Sequence, residues 1–224
     1  MRNGRIDMVL GIVKNDFADV MLGRNANRSL DANFKIPRDE ILQMLEIATS
    51  APSAIDSQPW YFLIADTDEG KQKLDPIMHE PMDRGRVIAS SFSVVVFADR
   101  QWNEHFDEII DRNIVGAPAL YTPEMAGWIR NAAVWWVDYL VERGELDQSV
   151  CFQAGLVAMQ FMLAVRSHGY ECGPMDDWDK DELEPVFGID LKRFIPLLVI
   201  AVGKPTGPAV PVTRRDPKEV SMFA

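Results

Sequence analysis

The sequence predicts a single domain that mixes α-helices with β-strands, and two kinds of segment predict it. Three short runs are apolar at every position instead of at alternate ones, as in strands buried on both faces of a sheet. These runs are residues 60–65, 92–98 and 194–203. Between them lie segments whose apolar residues recur with helical spacing. The chain has 224 residues, 47% of them hydrophobic, which is enough for one sizeable core.

Six segments are predicted to be helical: residues 16–22, 36–50, 66–78, 102–143 with an interruption at 116–118, 149–168 and 179–187. The segment 149–168 is apolar on more than one side, which predicts a buried central helix that ends at Gly169. The tail at 204–224 has no periodicity of its own. We expect one domain over residues 1–224, with a flexible N-terminus at 1–14 and a C-terminal arm at 204–224.

Composition excludes several classes of function. A net charge of −11 disfavours binding to nucleic acids or to anionic membranes, because both require a basic surface. No run is long enough to span a membrane, and the polar first residues do not read as a signal peptide, so we expect a cytoplasmic protein. Cys151 and Cys172 lack metal-site spacing and are predicted to be reduced core thiols, and the three histidines are scattered, so no metal site is predicted.

A loop between a predicted helix and the first strand has the composition of a binding loop. It reads Ala51-Pro52-Ser53-Ala54-Ile55-Asp56-Ser57-Gln58-Pro59-Trp60. Its small and hydroxyl-bearing residues leave backbone groups and hydroxyls free for a ligand. The alternative is an ordinary connection in which proline and serine only stop the helix.

Four motifs, in this order along the chain, resemble the nitroreductase family of FMN-dependent, NAD(P)H-using oxidoreductases. They are R-x-x-x-R at Arg24 and Arg28, P-S-x-x-x-x-Q-P-W at Pro52 to Trp60, Gly173-Pro174-Met175-Asp176-Asp177-Trp178, and Val212-Thr213-Arg214-Arg215-Asp216. The second is fairly specific. Together they cover nearly the whole chain, and the resemblance is nearest to bacterial members that reduce nitro compounds or enones.

The resemblance implies an α+β fold in which helices flank a central, mostly antiparallel sheet. It also implies an interlocked homodimer with two FMN sites at its interface. The expected activity passes a hydride from NADH or NADPH through flavin N5 to a small electron-poor acceptor, such as a nitroaromatic, quinone or enone, by a ping-pong mechanism. No side chain is expected to be catalytic, because the cofactor carries the chemistry.

The resemblance also implies the role of each site residue. Arg24 and Arg214 would bind the FMN phosphate, although Arg215 is an alternative to Arg214, and Arg28 would face N1 and O2 of the flavin. Backbone N–H groups of Asp176 and Asp177 would reach N5 and O4, and the loop from Pro52 would contact the flavin of the other subunit. The cofactor-binding residues expected are Arg24, Asn25, Ala26, Arg28, Pro52, Ser53, Ala54, Asp56, Pro174, Met175, Asp176, Asp177 and Arg214. The segment 83–86, where the family often has Asn and Lys, matches poorly and is not among them.

Three residues depart from the family pattern: Ala26 replaces a serine, Asp56 an asparagine and Asp177 a glycine. They keep open an alternative function, a flavin-binding or interaction protein without redox activity on the same fold. The middle of the chain, which in the family often covers the substrate face of the flavin, holds Trp102, Trp128, Trp135 and Trp136. At helical spacing, such a cluster is more often core or subunit interface than cofactor pocket.

Overall fold

Four strands form one antiparallel sheet in the computed structural model of the protein, which describes residues 11–224. The strands are β1 (Trp60–Ala65), β2 (Phe92–Asp99), β3 (Glu171–Met175) and β4 (Phe194–Gly203). Their order across the sheet is β1-β2-β4-β3, and every neighbouring pair is antiparallel. The prediction of an α+β fold with a central antiparallel sheet is therefore confirmed.

Helices surround this sheet. Along the described chain they are α1 (Phe17–Gly23), α2 (Arg38–Ala48), α3 (Asp68–Leu74), α4 (Pro81–Ala89), α5 (Phe106–Gly116), α6 (Pro123–Arg143), α7 (Leu146–Ser167) and α8 (Leu183–Phe187). Helices α2 and α7 pack on one face of the sheet. Helices α3, α4 and α8 contribute to the core on the other face.

Strand β2 shows why the sheet lies in the centre. All eight of its residues are buried, and successive side chains point to opposite faces. Val94 and Val96 pack with α2 and α7, whereas Val95 and Phe97 join the core on the opposite face. Branched and aromatic side chains at every position fit a strand covered on both sides.

Helix α7 is the longest helix of the described chain, and it is only partly buried. One side packs on β2 and α2, while Phe152 on the opposite side is 67% exposed. The prediction of a helix buried all round was therefore wrong for that side. The length and apolar composition of α7 would also fit a membrane span, a property that it shares with core helices of water-soluble domains.

Two elements were not predicted. Strand β3 contains Gly173 and Pro174, which have low strand propensity, so the prediction that Pro174 lies in a loop was wrong. Helix α4 begins at Pro81, in a segment for which the sequence predicted no element. The predicted break at 116–118 is confirmed, because α5 ends at Gly116 and α6 begins at Pro123.

The two chain ends bear on the predicted domain limits. The expected flexible N-terminus falls mainly on residues 1–10, which lie outside the described residues. The backbone N–H groups of Val13 and Lys14 both donate to the carbonyl of Ser167 at 2.9 Å. Beyond residue 210 the tail is exposed throughout, with one short turn at Pro217–Glu219. The C-terminal arm stays a prediction.

Candidate functional site

The segment from Arg24 to Arg28, called the arginine segment below, lies along the edge of the sheet. It leaves α1 at Gly23 in an extended conformation, and Ala26 pairs with Cys172 of β3. The N–H of Asn27 donates to the carbonyl of Cys172 at 3.0 Å. Backbone pairing of this kind fixes the segment beside β3 and leaves Ala26 and Arg28 exposed.

Arg166, at the end of α7, ties α1 to this edge. Its buried guanidinium donates to the backbone carbonyl and the carboxylate of Asp19, and it forms an ion pair with Glu171. The Arg166 hydrogen bond lowers the pKa of Asp19, whereas burial raises the pKa of Glu171. Gly23 packs so closely here that a Cβ atom would lie 2.1 Å from Arg166 Nη2. The start of the arginine segment is therefore set by a buried hydrogen-bonded arginine.

Three arginines differ from the others in their surroundings. Among the residues that the structure describes, every arginine except Arg24, Arg28 and Arg214 forms an ion pair with an aspartate or glutamate. Arg214 donates only to the carbonyl of its neighbour Thr213, at 3.1 Å. In a chain of net charge −11, arginines without a carboxylate are available to an external anion.

A fourth arginine, which the sequence did not indicate, lies against β3. Arg86 of α4 is 9% exposed and pairs with Asp83 at 3.2 Å, and its Nε has no hydrogen-bond partner in the described chain. A Cβ atom on Gly173 would approach Asn27 O to 3.0 Å and Arg86 Nη1 to 3.3 Å. Only glycine fits this contact without a shift. The available signal in the sequence was the charged segment 83–86, which was left out of the predicted site.

The last residues of β3 and the two that follow it continue the same edge. Pro174 is half-buried and Met175 is buried, while Asp176 and Asp177 are exposed. Asp177 contacts His79 Nδ1 at 2.9 Å, and Asp176 accepts from Lys180 Nζ at 3.0 Å. Both acidic side chains therefore have partners outside the arginine segment.

Gln153 of α7, a residue that the sequence did not indicate, anchors the Pro52 to Asp56 loop through hydrogen bonds. The buried Gln153 Oε1 accepts from the Ala54 N–H at 2.8 Å and from the Ser57 hydroxyl at 3.0 Å. Ser53 Oγ accepts from the Gln58 N–H at 3.0 Å. The backbone is left-handed at Ile55, Asp56 and Gln58, with φ of 50°, 61° and 47°. Such strain in non-glycine residues clusters at functional sites.

Two groups of predicted site residues, the Pro52 to Asp56 loop and the segment from Arg24 to Arg28, are anchored at separate points of one helix. The loop is anchored at Gln153 and the arginine segment at Arg166, both on α7. At a helical rise of about 1.5 Å per residue, these anchors lie about 20 Å apart. The predicted site is thus divided into two parts, an arginine part and a loop part, at different places along α7.

A cavity of about 230 Å³ adjoins the loop part. Its apolar walls come from the loop and from helices α5 and α6. They include Ile55, Phe106, Ile109, Ile110, Trp128 and Ile129. Asp56, Asn113 and Tyr121 supply its polar groups. An apolar cavity with a few polar groups is the usual form of a small-molecule site.

The four tryptophans in the middle of the chain lie in three different environments. Trp102 is buried in the core beside Phe106, with ring centroids 5.4 Å apart. Trp128 is 67% exposed and lines the cavity. Trp135 and Trp136 both stack on Tyr139 on the outer side of α6. One of the four tryptophans therefore lies in the core and the others lie nearer the surface. Because Trp128 lines the cavity, it is the one that a ligand could contact.

The cysteines are free thiols, with Cys172 buried and Cys151 half-buried. Burial raises the pKa of Cys172 to about 12, so its thiol stays protonated and unreactive at neutral pH.

An α+β domain whose described residues include arginines without an ion-pair partner is suited to bind an anionic, phosphate-bearing ligand. A model described as the nitroreductase family matches residues 21–204, and the chain belongs to the nitroreductase family. The resemblance predicted from the four motifs is confirmed.

Relatives and solved structures agree with this assignment. A Bacillus subtilis protein provisionally named NAD(P)H nitroreductase YdgI is 34% identical over 86% of this chain and 90% of its own length. The CLA biosynthesis enone reductase of Lactiplantibacillus plantarum is 32% identical over 97% of this chain and 98% of its own. A crystal structure from Exiguobacterium sibiricum, provisionally described as a nitroreductase in complex with FMN, has a TM-score of 0.83 and 31% identity, covering 94% of this chain and 98% of the other.

Proposed function

We propose that the protein is an FMN-dependent oxidoreductase that uses NAD(P)H to reduce a small electron-poor molecule. The observation that carries this proposal is that three arginines, Arg24, Arg28 and Arg214, have no carboxylate partner among the described residues. The relatives support it, because their names include NAD(P)H nitroreductase and enone reductase.

The residues present fit FMN. Arg24 and Arg214 would hold the phosphate through charge-assisted hydrogen bonds, since guanidinium groups match phosphate oxygens. Arg215 pairs with Glu219 at 3.4 Å, which favours Arg214 for this role. Arg28 and Arg86 would place positive charge at the flavin ring, and Gly173 lets Arg86 pack closely against β3. Pro174 and Met175 carry the chain to the exposed backbone of Asp176 and Asp177, which would meet the polar edge of the ring.

FMN, when bound, supplies the transfer of a hydride from NADH or NADPH to an acceptor such as a nitroaromatic, quinone or enone, with both half-reactions at one site. The protein orients the cofactor, and its arginines make reduction of the cofactor more favourable by placing fixed positive charge near it. No side chain is required as a covalent nucleophile.

We also propose that the working form is a cytoplasmic homodimer. The arginine part and the loop part of the site lie about 20 Å apart on α7, so the loop of one chain would complete the site of the other. Phe152, at 67% exposure, marks a surface of α7 that a second chain would cover.

The test compares Arg24→Ala with Arg38→Ala. Arg38 is an exposed arginine that pairs with Asp66 and is not among the predicted site residues. We expect yellow wild-type protein whose visible absorbance bleaches with NADH or NADPH without oxygen. Loss of a charge-assisted phosphate contact should weaken FMN binding by about 10- to 100-fold in Arg24→Ala, and Arg38→Ala should retain FMN.

Wild-type protein that takes up no FMN would contradict the proposal. Protein that binds FMN but is not bleached by either nucleotide would favour the alternative, a flavin-binding protein without redox activity.

A further inference from the structure

The cavity beside the loop part is of a size to hold one substituted ring. Its volume is about 230 Å³, and a dry cavity of about 150 Å³ can already hold benzene. Its walls from Phe106, Ile110 and Ile129 are apolar. A flat aromatic or quinone-like molecule would bury its ring there.

Asp56 is the charged residue among the described residues that line this cavity. Its carboxylate is held in place by two amides: Gln58 Nε2 donates to Oδ1 at 3.1 Å, and Asn113 Nδ2 approaches Oδ2 at 3.4 Å. The anchored, left-handed backbone of the loop fixes the direction of this side chain. The carboxylate is thus oriented by hydrogen bonds instead of free to swing away.

No cation neutralises Asp56 within the part of the chain that the structure describes. The nearby Arg112 shares a groove with Asp56, but it lies 3.6 Å from Glu108 and pairs with it. Amide donors stabilise a carboxylate without cancelling its charge. A ligand in the cavity therefore meets a net negative field, reinforced by the overall charge of −11.

We infer that Asp56 selects acceptors by charge, so that the site takes neutral or cationic single-ring acceptors and discriminates against those that carry a carboxylate. This inference rests on the proposed function, because it assigns the cavity to the acceptor. For two like charges about 5 to 6 Å apart in a partly screened site, the expected discrimination is about tenfold.

The experiment uses three acceptors with the same nitrobenzene ring: 4-nitrobenzamide, 4-nitrobenzoate and the cationic 4-nitrobenzylamine. We would measure kcat/KM for each with the FMN-loaded enzyme, and compare wild type with Asp56→Asn and Asp56→Ser. Equilibrium binding of the same compounds to oxidised enzyme without nucleotide, by calorimetry, gives a second readout that does not depend on turnover.

The expected result is a ratio of amide to benzoate, in both kcat/KM and affinity, that falls about tenfold in Asp56→Asn relative to wild type. The amine should lose its advantage in the same variant. Asp111→Asn, which removes one exposed carboxylate from α5 outside the cavity and leaves its partner Arg130 paired with Asp107, is the matched control and should keep the wild-type ratio. Agreement between the asparagine and serine variants guards against a folding defect in one of them.

A wild-type ratio that Asp56→Asn leaves unchanged, or that Asp111→Asn shifts equally, would overturn the inference. Failure of the proposed function looks different: no acceptor would be reduced by any variant, while the binding ratios would still report whether Asp56 selects by charge.

Discussion

Substituting Ala26 by serine adds a single hydroxyl group and is expected to change the affinity for FMN. The side chain of Ala26 is exposed on the arginine segment, whose backbone is fixed by pairing with Cys172. We expect Ala26→Ser to add one donor for the FMN phosphate, tightening FMN by about 1 kcal/mol or roughly fivefold. Fluorescence titration of the apoprotein measures this. Riboflavin, which lacks the phosphate, is the control and should bind both proteins equally; an unchanged FMN affinity would place Ala26 away from the phosphate.

Tyr170 predicts a pH effect on stability. Its hydroxyl donates to Glu40 at 3.1 Å, and burial together with this carboxylate raises its pKa to about 12 from the ordinary 10. The folded state retains the proton while the unfolded state loses it, so this stabilisation is present below pH 10 and is lost as pH rises toward 12. Between pH 8 and pH 11, the free energy of unfolding should fall by about 1 kcal/mol more in the wild type than in Tyr170→Phe. Urea unfolding between pH 8 and 11 measures the difference, and parallel curves would refute the assignment.

At the scale of elements, the contact between α1 and α7 is expected to control cofactor binding. A methyl group at Gly23 would displace Arg166, which is held by Asp19 and Glu171. We expect Gly23→Ala to cost about 1 to 3 kcal/mol of unfolding free energy and to weaken FMN more than riboflavin, because the arginine segment shifts. Thermal unfolding and flavin titration measure the two effects.

The matched control is Gly127→Ala in α6, where no atom of the described chain other than the helix's own nearby backbone lies within 4 Å of the added Cβ. There the helix should be stabilised by about 0.5 to 1 kcal/mol, since alanine has the higher helix propensity. Equal effects at the two glycines would show that the packing against Arg166 is unimportant.

The elements also show how far the sequence could predict the fold. The strands at 60–65 and 194–203 were predicted at their observed limits, because a short, continuous run of branched and aromatic residues is typical of a strand buried on both faces. Strand β3 was missed because glycine and proline have low strand propensity, and Gly173 is required by the close approach of Asn27 and Arg86. Contacts between segments distant in sequence leave no local pattern, which is also why Gln153 was absent from the predicted site.

At the scale of the whole molecule, exposed apolar groups predict association. Phe152 and Met159 lie on one side of α7 and are 67% and 37% exposed. We expect Phe152→Glu to weaken the dimer by at least about tenfold and to reduce FMN retention with it, because the site would lose its second half. Light scattering and visible absorbance measure both, and Phe152→Leu should preserve both. A monomeric variant that keeps its FMN would argue against a shared site.

The residues of the proposed site and their arrangement rest on different grounds. Arg24 and Arg28 were assigned from the family resemblance of the R-x-x-x-R motif, and the structure adds that they lack carboxylate partners within the described chain. The division between the arginine part and the loop part was implied only by the family resemblance. The structure supports this division, because the loop is anchored at Gln153 and the arginine segment at Arg166, at separate points of the helix α7. Neither anchor could be identified from the sequence.

The division along α7 has a genetic consequence. In a homodimer of this kind, each complete site draws its arginines from one gene product and its loop from the other. Two defective alleles, one altered at Arg24 and one altered in the Pro52 to Asp56 loop, would each fail alone. Expressed together, they would form some mixed dimers with both lesions in one site, leaving the second site with an intact set of residues. Such a pair of alleles would therefore complement each other within a single gene.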